Sequence, residues 1–238
     1  MRFRYLSSLL LVFGLAILVA PSPSYAGPLQ VKLVSNGITI VVIDNEFPDV
    51  SFGAGQIALA GPIMVGAWTL NSLLATGGQV IGTIAMELRL DLTSGPGAGT
   101  IQVLVTQSDQ GASTPSFSLS GGFAEFPSGA NATISLFGGN SNIPFDTSNT
   151  IASGTYPFTS FTGGRGNTVN PYSFTLGVDI TAPTTGTGPF NYSGIPGRGV
   201  ATARAFPEPS SIASLGIALT GVFLFKKRLK GLRAIQRN

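Results

Sequence analysis

The sequence predicts an all-β protein: a single antiparallel β-sandwich of about ten strands joined by Gly-rich turns, with an apolar segment of a different kind at each end. Two stretches alternate without exception. Met86, Leu88, Leu90 and Leu92 interleave with Glu87, Arg89, Asp91 and Thr93, and Tyr172, Phe174, Leu176, Val178 and Ile180 interleave with more polar neighbours. Period 2 of this kind marks half-buried antiparallel strands. Residues 27–206 also hold 28 of the 32 glycines, and no helical period occurs outside the two ends, which favours a two-layer β fold over an α/β one.

The first element is not part of that domain. Arg2 and Arg4 precede the uncharged run Leu9–Ala20, and Ser24-Tyr25-Ala26 places small residues where a signal peptidase reads. Residues 1–26 are therefore expected to be a signal peptide cut after Ala26. The apolar run is too short to cross ~30 Å of hydrocarbon at ~1.5 Å per residue. Strands are then expected over 29–34, 38–43, 56–60, 64–70, 86–93, 100–106, 117–123, 131–137, 172–181 and 200–206. Asn36-Gly37 suits a tight hairpin turn, because both residues tolerate positive φ. The Gly-rich segment 94–99 turns the Met86 strand toward Thr100. Residues 138–170, rich in Gly, Ser, Thr and Asn, read as long surface loops or irregular edge strands.

The last element, 207–238, has three parts in a fixed order: Pro207-Glu208-Pro209-Ser210-Ser211, the uncharged run Ile212–Phe225, and the cations Lys226, Lys227, Arg228 and Lys230. Pro209 suits a helix start and the serines can cap it, so a short transmembrane helix is expected at about 210–225. The basic cluster should stop transfer and stay cytoplasmic. This tail resembles the PEP-CTERM sorting signal of bacterial exosortase substrates. The resemblance covers about thirty residues, and residues 41–106 are also similar, more loosely, to the exported β domain often found upstream of that tail. It implies export through the Sec-type machinery and signal peptidase, and transient retention in the cytoplasmic membrane by the tail helix. It further implies recognition at Pro207, Glu208 and Pro209 by a membrane-embedded exosortase, then release to the cell surface or extracellular matrix.

The residues for chemistry are few. Histidine and cysteine are absent, which excludes imidazole bases, Ser-His triads, thiol nucleophiles, disulfides and the usual zinc or haem ligation. Asp44, Glu46 and Asp49 gather three carboxylates within six residues. Oxygen donors suit Ca²⁺, but Asp and Asn equally make turns at strand ends and the EF-hand spacing is missing; no cofactor is otherwise expected. Glu87 and Asp91 would stand ~13 Å apart on one strand face, too far for paired-carboxylate glycoside hydrolysis. A carboxylate pair built from Asp109, Glu125 or Asp179 has no local signal in its favour. Gly163-Gly164-Arg165-Gly166 lacks the Gly-Lys-Ser/Thr ending of a phosphate loop and reads as a turn. Trp68, with Tyr156, Phe158, Phe161, Tyr172 and Tyr192, is a candidate platform for stacking an extracellular polysaccharide, or else core packing. The expected protein is thus non-enzymatic and structural. A carbohydrate-binding module is the first alternative and a secreted carboxylate-dependent hydrolase the second.

Charge sharpens this division. The chain carries 13 Lys+Arg and 10 Asp+Glu, a formal +3, yet eight of the cations and one acid lie in the two end segments. Residues 27–206 keep five cations and nine acids, net −4. Nucleic-acid binding, which the sequence pI of about 9.4 would suggest, loses its electrostatic basis there.

Overall fold

The computed structural model of the protein describes residues 27–51, 53–80, 83–110, 116–139, 141–157, 160–165, 172–187 and 189–202. The expected signal peptide with Ala26, and the tail with Pro207, Glu208, Pro209, its helix and Lys226, Lys227, Arg228 and Lys230, lie outside the described residues, as does Phe158. Among the described residues there is no helix, and so none long and apolar enough to cross a membrane.

Twelve strands form two antiparallel sheets. They are β1 (Leu29–Ser35), β2 (Ile38–Ile43), β3 (Gln56–Val65), β4 (Trp68–Val80), β5 (Thr83–Ser94), β6 (Thr100–Gln110), β7 (Ser116–Glu125), β8 (Asn131–Gly138), β9 (Thr150–Thr155), β10 (Ser160–Arg165), β11 (Tyr172–Thr181) and β12 (Phe190–Thr202). Sheet A runs β2-β1-β6-β11-β8-β9 and sheet B runs β10-β7-β12-β5-β4-β3. The last eight strands are nested: β8 pairs with β9, β7 with β10, β6 with β11 and β5 with β12. The hairpin β1–β2 extends sheet A beside β6, and β3–β4 extends sheet B beside β5. Leu29 pairs near the end of β6, and Thr202 pairs with Thr83 at the start of β5. The chain therefore enters and leaves this fold at the same end of the sheets.

The alternating strands supply the core as their period requires. Met86, Leu88, Leu90 and Leu92 of β5 and Phe174, Leu176, Val178 and Ile180 of β11 are buried in one hydrophobic cluster that draws on both sheets. Phe117 of sheet B stacks on Phe174 of sheet A with ring centroids 5.8 Å apart. Opposite the two leucines of sheet A, β12 has glycines: a Cβ on Gly199 would lie 2.5 Å from Leu136 Cδ1, and one on Gly197 would lie 3.1 Å from Leu176 Cδ1. The leucines fill the space that those missing side chains leave. At the end away from the chain's entry, Trp68, Tyr192, Phe126, Tyr156 and Phe123 form a chain of ring contacts with centroids 4.7–5.7 Å apart.

Several expected elements differ. The apolar run 64–70 is broken by a turn at Gly66 (φ 63), so Met64 and Val65 end β3 while Trp68 begins β4. β3 continues through Gly61-Pro62 by a register shift between Ala60 and Ile63. Gly163–Arg165 is not a turn but the end of edge strand β10, with an irregularity between Gly163 and Arg165. The strand expected at 200–206 begins ten residues earlier, as β12. Ser173 and Thr175, the polar neighbours that alternation in β11 directs away from the core, are nevertheless fully buried. Gly139 and residues 141–149 fold over the outer side of sheet A, where Gly139 N donates to Ser173 O and Phe145 N to Thr106 Oγ1, which is itself 2.8 Å from Thr175 Oγ1. Leu104, buried outside the main cluster, lies on this covered face beside Phe137, since a Cβ on Gly177 would sit 3.0 Å from both.

Candidate functional site

The outer face of sheet B holds a row of interacting, solvent-reachable polar groups. Alternation in β5 sends Glu87, Arg89, Asp91 and Thr93 outward, and register places Arg198 of β12 opposite Glu87. Arg89 Nε donates to Glu87 Oε1 at 2.9 Å, and Arg198 Nε lies 3.9 Å from Glu87 Oε2. Both guanidinium side chains are more than half exposed, and Glu87 balances one of their charges. Farther along, Asn71 Nδ2 donates to Asp91 Oδ1 at 3.0 Å and to Thr93 Oγ1 at 2.9 Å. Thr93 Oγ1 in turn lies 3.4 Å from Asn191 Oδ1. From Glu87 to Thr93 this row spans ~20 Å at the rise of a β-strand.

β12 breaks register against β7 between Ile195 and Arg198, where Gly122 faces Ile195. The irregularity opens a shallow depression of ≈ 590 Å³ lined by Glu87, Ser120, Gly122, Phe123, Ile195 and Arg198. Its polar lining is the Arg198 guanidinium, a donor suited to a carboxylate, sulfate or phosphate, with the Glu87 carboxylate and the Ser120 hydroxyl. The β5 alternation shows in the sequence, but the depression depends on a strand irregularity that no motif announces.

The residues singled out from the sequence take other places. Trp68 is fully buried with its ring 5.1 Å from that of Tyr192, so no face is open for stacking a sugar; core packing takes its place, because Trp68 follows directly on the Gly66-Ala67 turn and points inward. Its indole Nε1 has no hydrogen-bond partner among the described residues. In the acidic loop, Asp44 Oδ2 accepts from Gly55 N at 2.6 Å, and Asp49 Oδ1 accepts from Ser51 N at 2.8 Å and Ala58 N at 2.9 Å. Asp49 Oδ2 accepts from Asn45 N at 3.0 Å. These carboxylates fasten the loop to β3, the turn-making use of such residues, while Glu46 is exposed. Among the described residues no group of three or more carboxylates could hold a metal ion.

The remaining acids are dispersed. Asp109 Oδ1 accepts from Asn142 Nδ2 and Asp179 Oδ1 from Gln102 Nε2, while Glu125 stands exposed at the far end of β7 in the other sheet. Two phenols are perturbed. Burial pushes the Tyr172 hydroxyl well above the usual tyrosine range, and burial raises that of Tyr192 against an opposing hydrogen bond from Ser94. Both serve the interior, not a site.

No protein-family model and no curated protein matches this chain. Among solved structures it is similar to two from infectious bursal disease virus, that of the Gx strain (13% identity, TM-score 0.35) and that of the VP2 subviral particle (13% identity, TM-score 0.32). Each likeness covers 81% of this chain and 55% or 56% of the viral one, so the chain spans little more than half the length of these proteins.

Proposed function

We propose that this is an exported, exosortase-processed protein of the cell surface or extracellular matrix, structural and non-catalytic, whose body is one β-sandwich of jelly-roll type. The carrying observation is the ordered tail: Pro207-Glu208-Pro209, the apolar run 212–225, and the cations from Lys226. The nested pairing of β5–β12 supports the jelly-roll reading, since a long hairpin rolled on itself produces that strand order. Entry and exit of the chain at one end of the sheets suits processing at both junctions. Glu208, held between two prolines that favour an extended backbone, acts as a recognition residue. Cell fractionation tests this: Glu208→Ala should stay with the membranes while the unaltered chain is released, and equal release of the two would sink the reading.

A second reading, a carbohydrate-binding module, is favoured by the depression on sheet B instead of by Trp68. Arg89 and Arg198 would there take a uronate carboxylate, and the row from Asp91 to Asn191 the neighbouring hydroxyls. Affinity electrophoresis of the full chain in a gel containing a uronic-acid polymer should show retardation that is lost in Arg89→Ala/Arg198→Ala and absent with neutral dextran. Equal mobility of both proteins in the acidic gel would remove this reading without touching the first.

A further inference from the structure

Among the described residues the two sheets have four edge strands, β2 and β9 on sheet A and β10 and β3 on sheet B. Three of them carry a break in register. It falls opposite Leu136/Phe137 in β9, between Gly163 and Arg165 in β10, and between Ala60 and Ile63 in β3, where Pro62 also lacks an N–H. Bulges and prolines of this kind keep an exposed edge from pairing with another chain. β2 has no such device. It makes six consecutive pairs with β1, from Ser35↔Ile38 to Gln30↔Ile43, and Ile38–Ile43 contains no charge, proline or glycine.

The tight Asn36-Gly37 turn makes Ser35↔Ile38 a hydrogen-bonded pair, so alternation turns the backbone groups of Thr39, Val41 and Ile43 away from β1. The bond from Asp44 N to Leu29 O, 2.9 Å, has the same phase. The Ile43 carbonyl accepts from Glu46 N at 3.0 Å. The three amides and the carbonyls of Thr39 and Val41 take no hydrogen bond among the described residues. Apolar surface collects at the same edge. Of the seven large hydrophobic side chains exposed among the described residues, Ile38, Val41, Phe47 and Val50 lie on β2 or the loop after it, and Phe47 is 98% exposed.

We propose that β2 is a self-association edge, on which a second copy of this chain adds antiparallel about a twofold axis through Val41, joining two A sheets into one. The arrangement is self-complementary, as a twofold contact must be. Val41 exchanges two hydrogen bonds with Val41 of the copy. Each Ile43 amide meets a Thr39 carbonyl, and each Thr39 amide shares the Ile43 carbonyl with Glu46. On the outer face, Val41 packs on Val41 and Thr39 on Ile43, apolar or neutral throughout. Lys32, the neighbour of Val41 on that face, comes no nearer to its equivalent than three strand spacings, ~14 Å, which exceeds the ~8 Å screening length at physiological salt. A partner selected by charge finds nothing to complement on β2, whereas an identical strand finds both its hydrogen-bond row and its apolar row matched.

The chain has no native cysteine, so one introduced thiol reports on the contact. In an antiparallel hydrogen-bonded pair the two Val41 Cα atoms would be about 5.5 Å apart, inside the about 4.4–6.8 Å span of a disulfide. The full chain in detergent, diluted and mildly oxidised, should give a disulfide-linked dimer of Val41→Cys at least about tenfold faster than of Thr155→Cys on β9, because only the first pair is held together. By sedimentation the unaltered chain should be dimeric and Val41→Lys monomeric. Val41 is half exposed and its N–H points off the sheet, so the lysine leaves the β1–β2 ladder whole; should it nevertheless unfold the protein, the cysteine rates decide alone. Equal cross-linking rates at the two edges would overturn the proposal. So would identical monomeric sedimentation of the unaltered and lysine chains, or cross-linking of Val41→Cys to a different protein in intact producing cells.

Discussion

On β5, the outward side chains Glu87, Arg89, Asp91 and Thr93 stand in solvent or in contact with one another; on β11, Ser173 and Thr175 face away from the core just as consistently and are sealed beneath Gly139 and residues 141–149. The two strands alternate equally well. What separates them is a loop distant in sequence that lies over β11, with Gly139 N donating to the Ser173 carbonyl and Phe145 N to Thr106 Oγ1. Polarity at an outward position therefore reports which way a side chain leaves the sheet, not whether water meets it. The choice of polar residue does carry some of that information: the open face has charges, whereas under the loop Thr106, Thr175 and Ser173 are small and neutral.

The sharpest way to break the comparison is to place a charge under the loop. Thr175→Asp would bury a carboxylate where Thr106 Oγ1 is now its only close partner across the strands, and should lower stability by about 3 kcal/mol or more in urea unfolding. An effect below about 0.5 kcal/mol would mean that the loop does not seal the face. The inner side of the same strand gives a smaller effect. Tyr172 OH is buried without a hydrogen-bond partner among the described residues, so Tyr172→Phe should be neutral or stabilising by up to about 1 kcal/mol near pH 7. The phenol's folded pKa is raised above its unfolded value near 10. Above pH ~10 the unfolded chain then loses a proton that the folded chain keeps, and stability falls as pH rises. Tyr172→Phe should flatten that alkaline limb, and an unchanged limb would place the loss elsewhere. The smallest effect belongs to the open face: Arg89→Ala should alter stability by no more than about 0.5 kcal/mol, because an exposed ion pair contributes little.

Much of the architecture was legible where alternation was strong. β2 and β11 fall where expected, and Asn36 (φ 50) and Gly37 (φ 81) form the turn that the dipeptide suggested. β9 and β10, TIASGT and SFTGGR, show no apolar alternation that would mark them as strands, and each is an edge strand held on one side by a ladder. The run at 64–70 misled because hydrophobicity continues across a turn that only Gly66 betrays. The candidate site was half legible. The charged row of β5 follows from its period, but Arg198 arrives from 111 residues away along the chain, and its approach to Glu87 depends on pairing that local sequence does not encode. Trp68 attracted attention for its chemistry, yet as the sole tryptophan it is core volume.

The position of β12 bears on the order in which this fold can be assembled. It is a central strand of sheet B, flanked by β5 and β7, yet among the described strands it is the last to be synthesised. Until it emerges, β5 and β7 each lack the neighbour that joins them, and the leucines that its glycines accommodate have no surface to close on. The β8–β9 pair closes across 11 residues and can zip early, while β5–β12 must close across 95, a slow step in chains rich in non-local contacts. A chain halted before Phe190 would hold sheet B in two halves, so the whole fold becomes conditional on its last thirteen described residues.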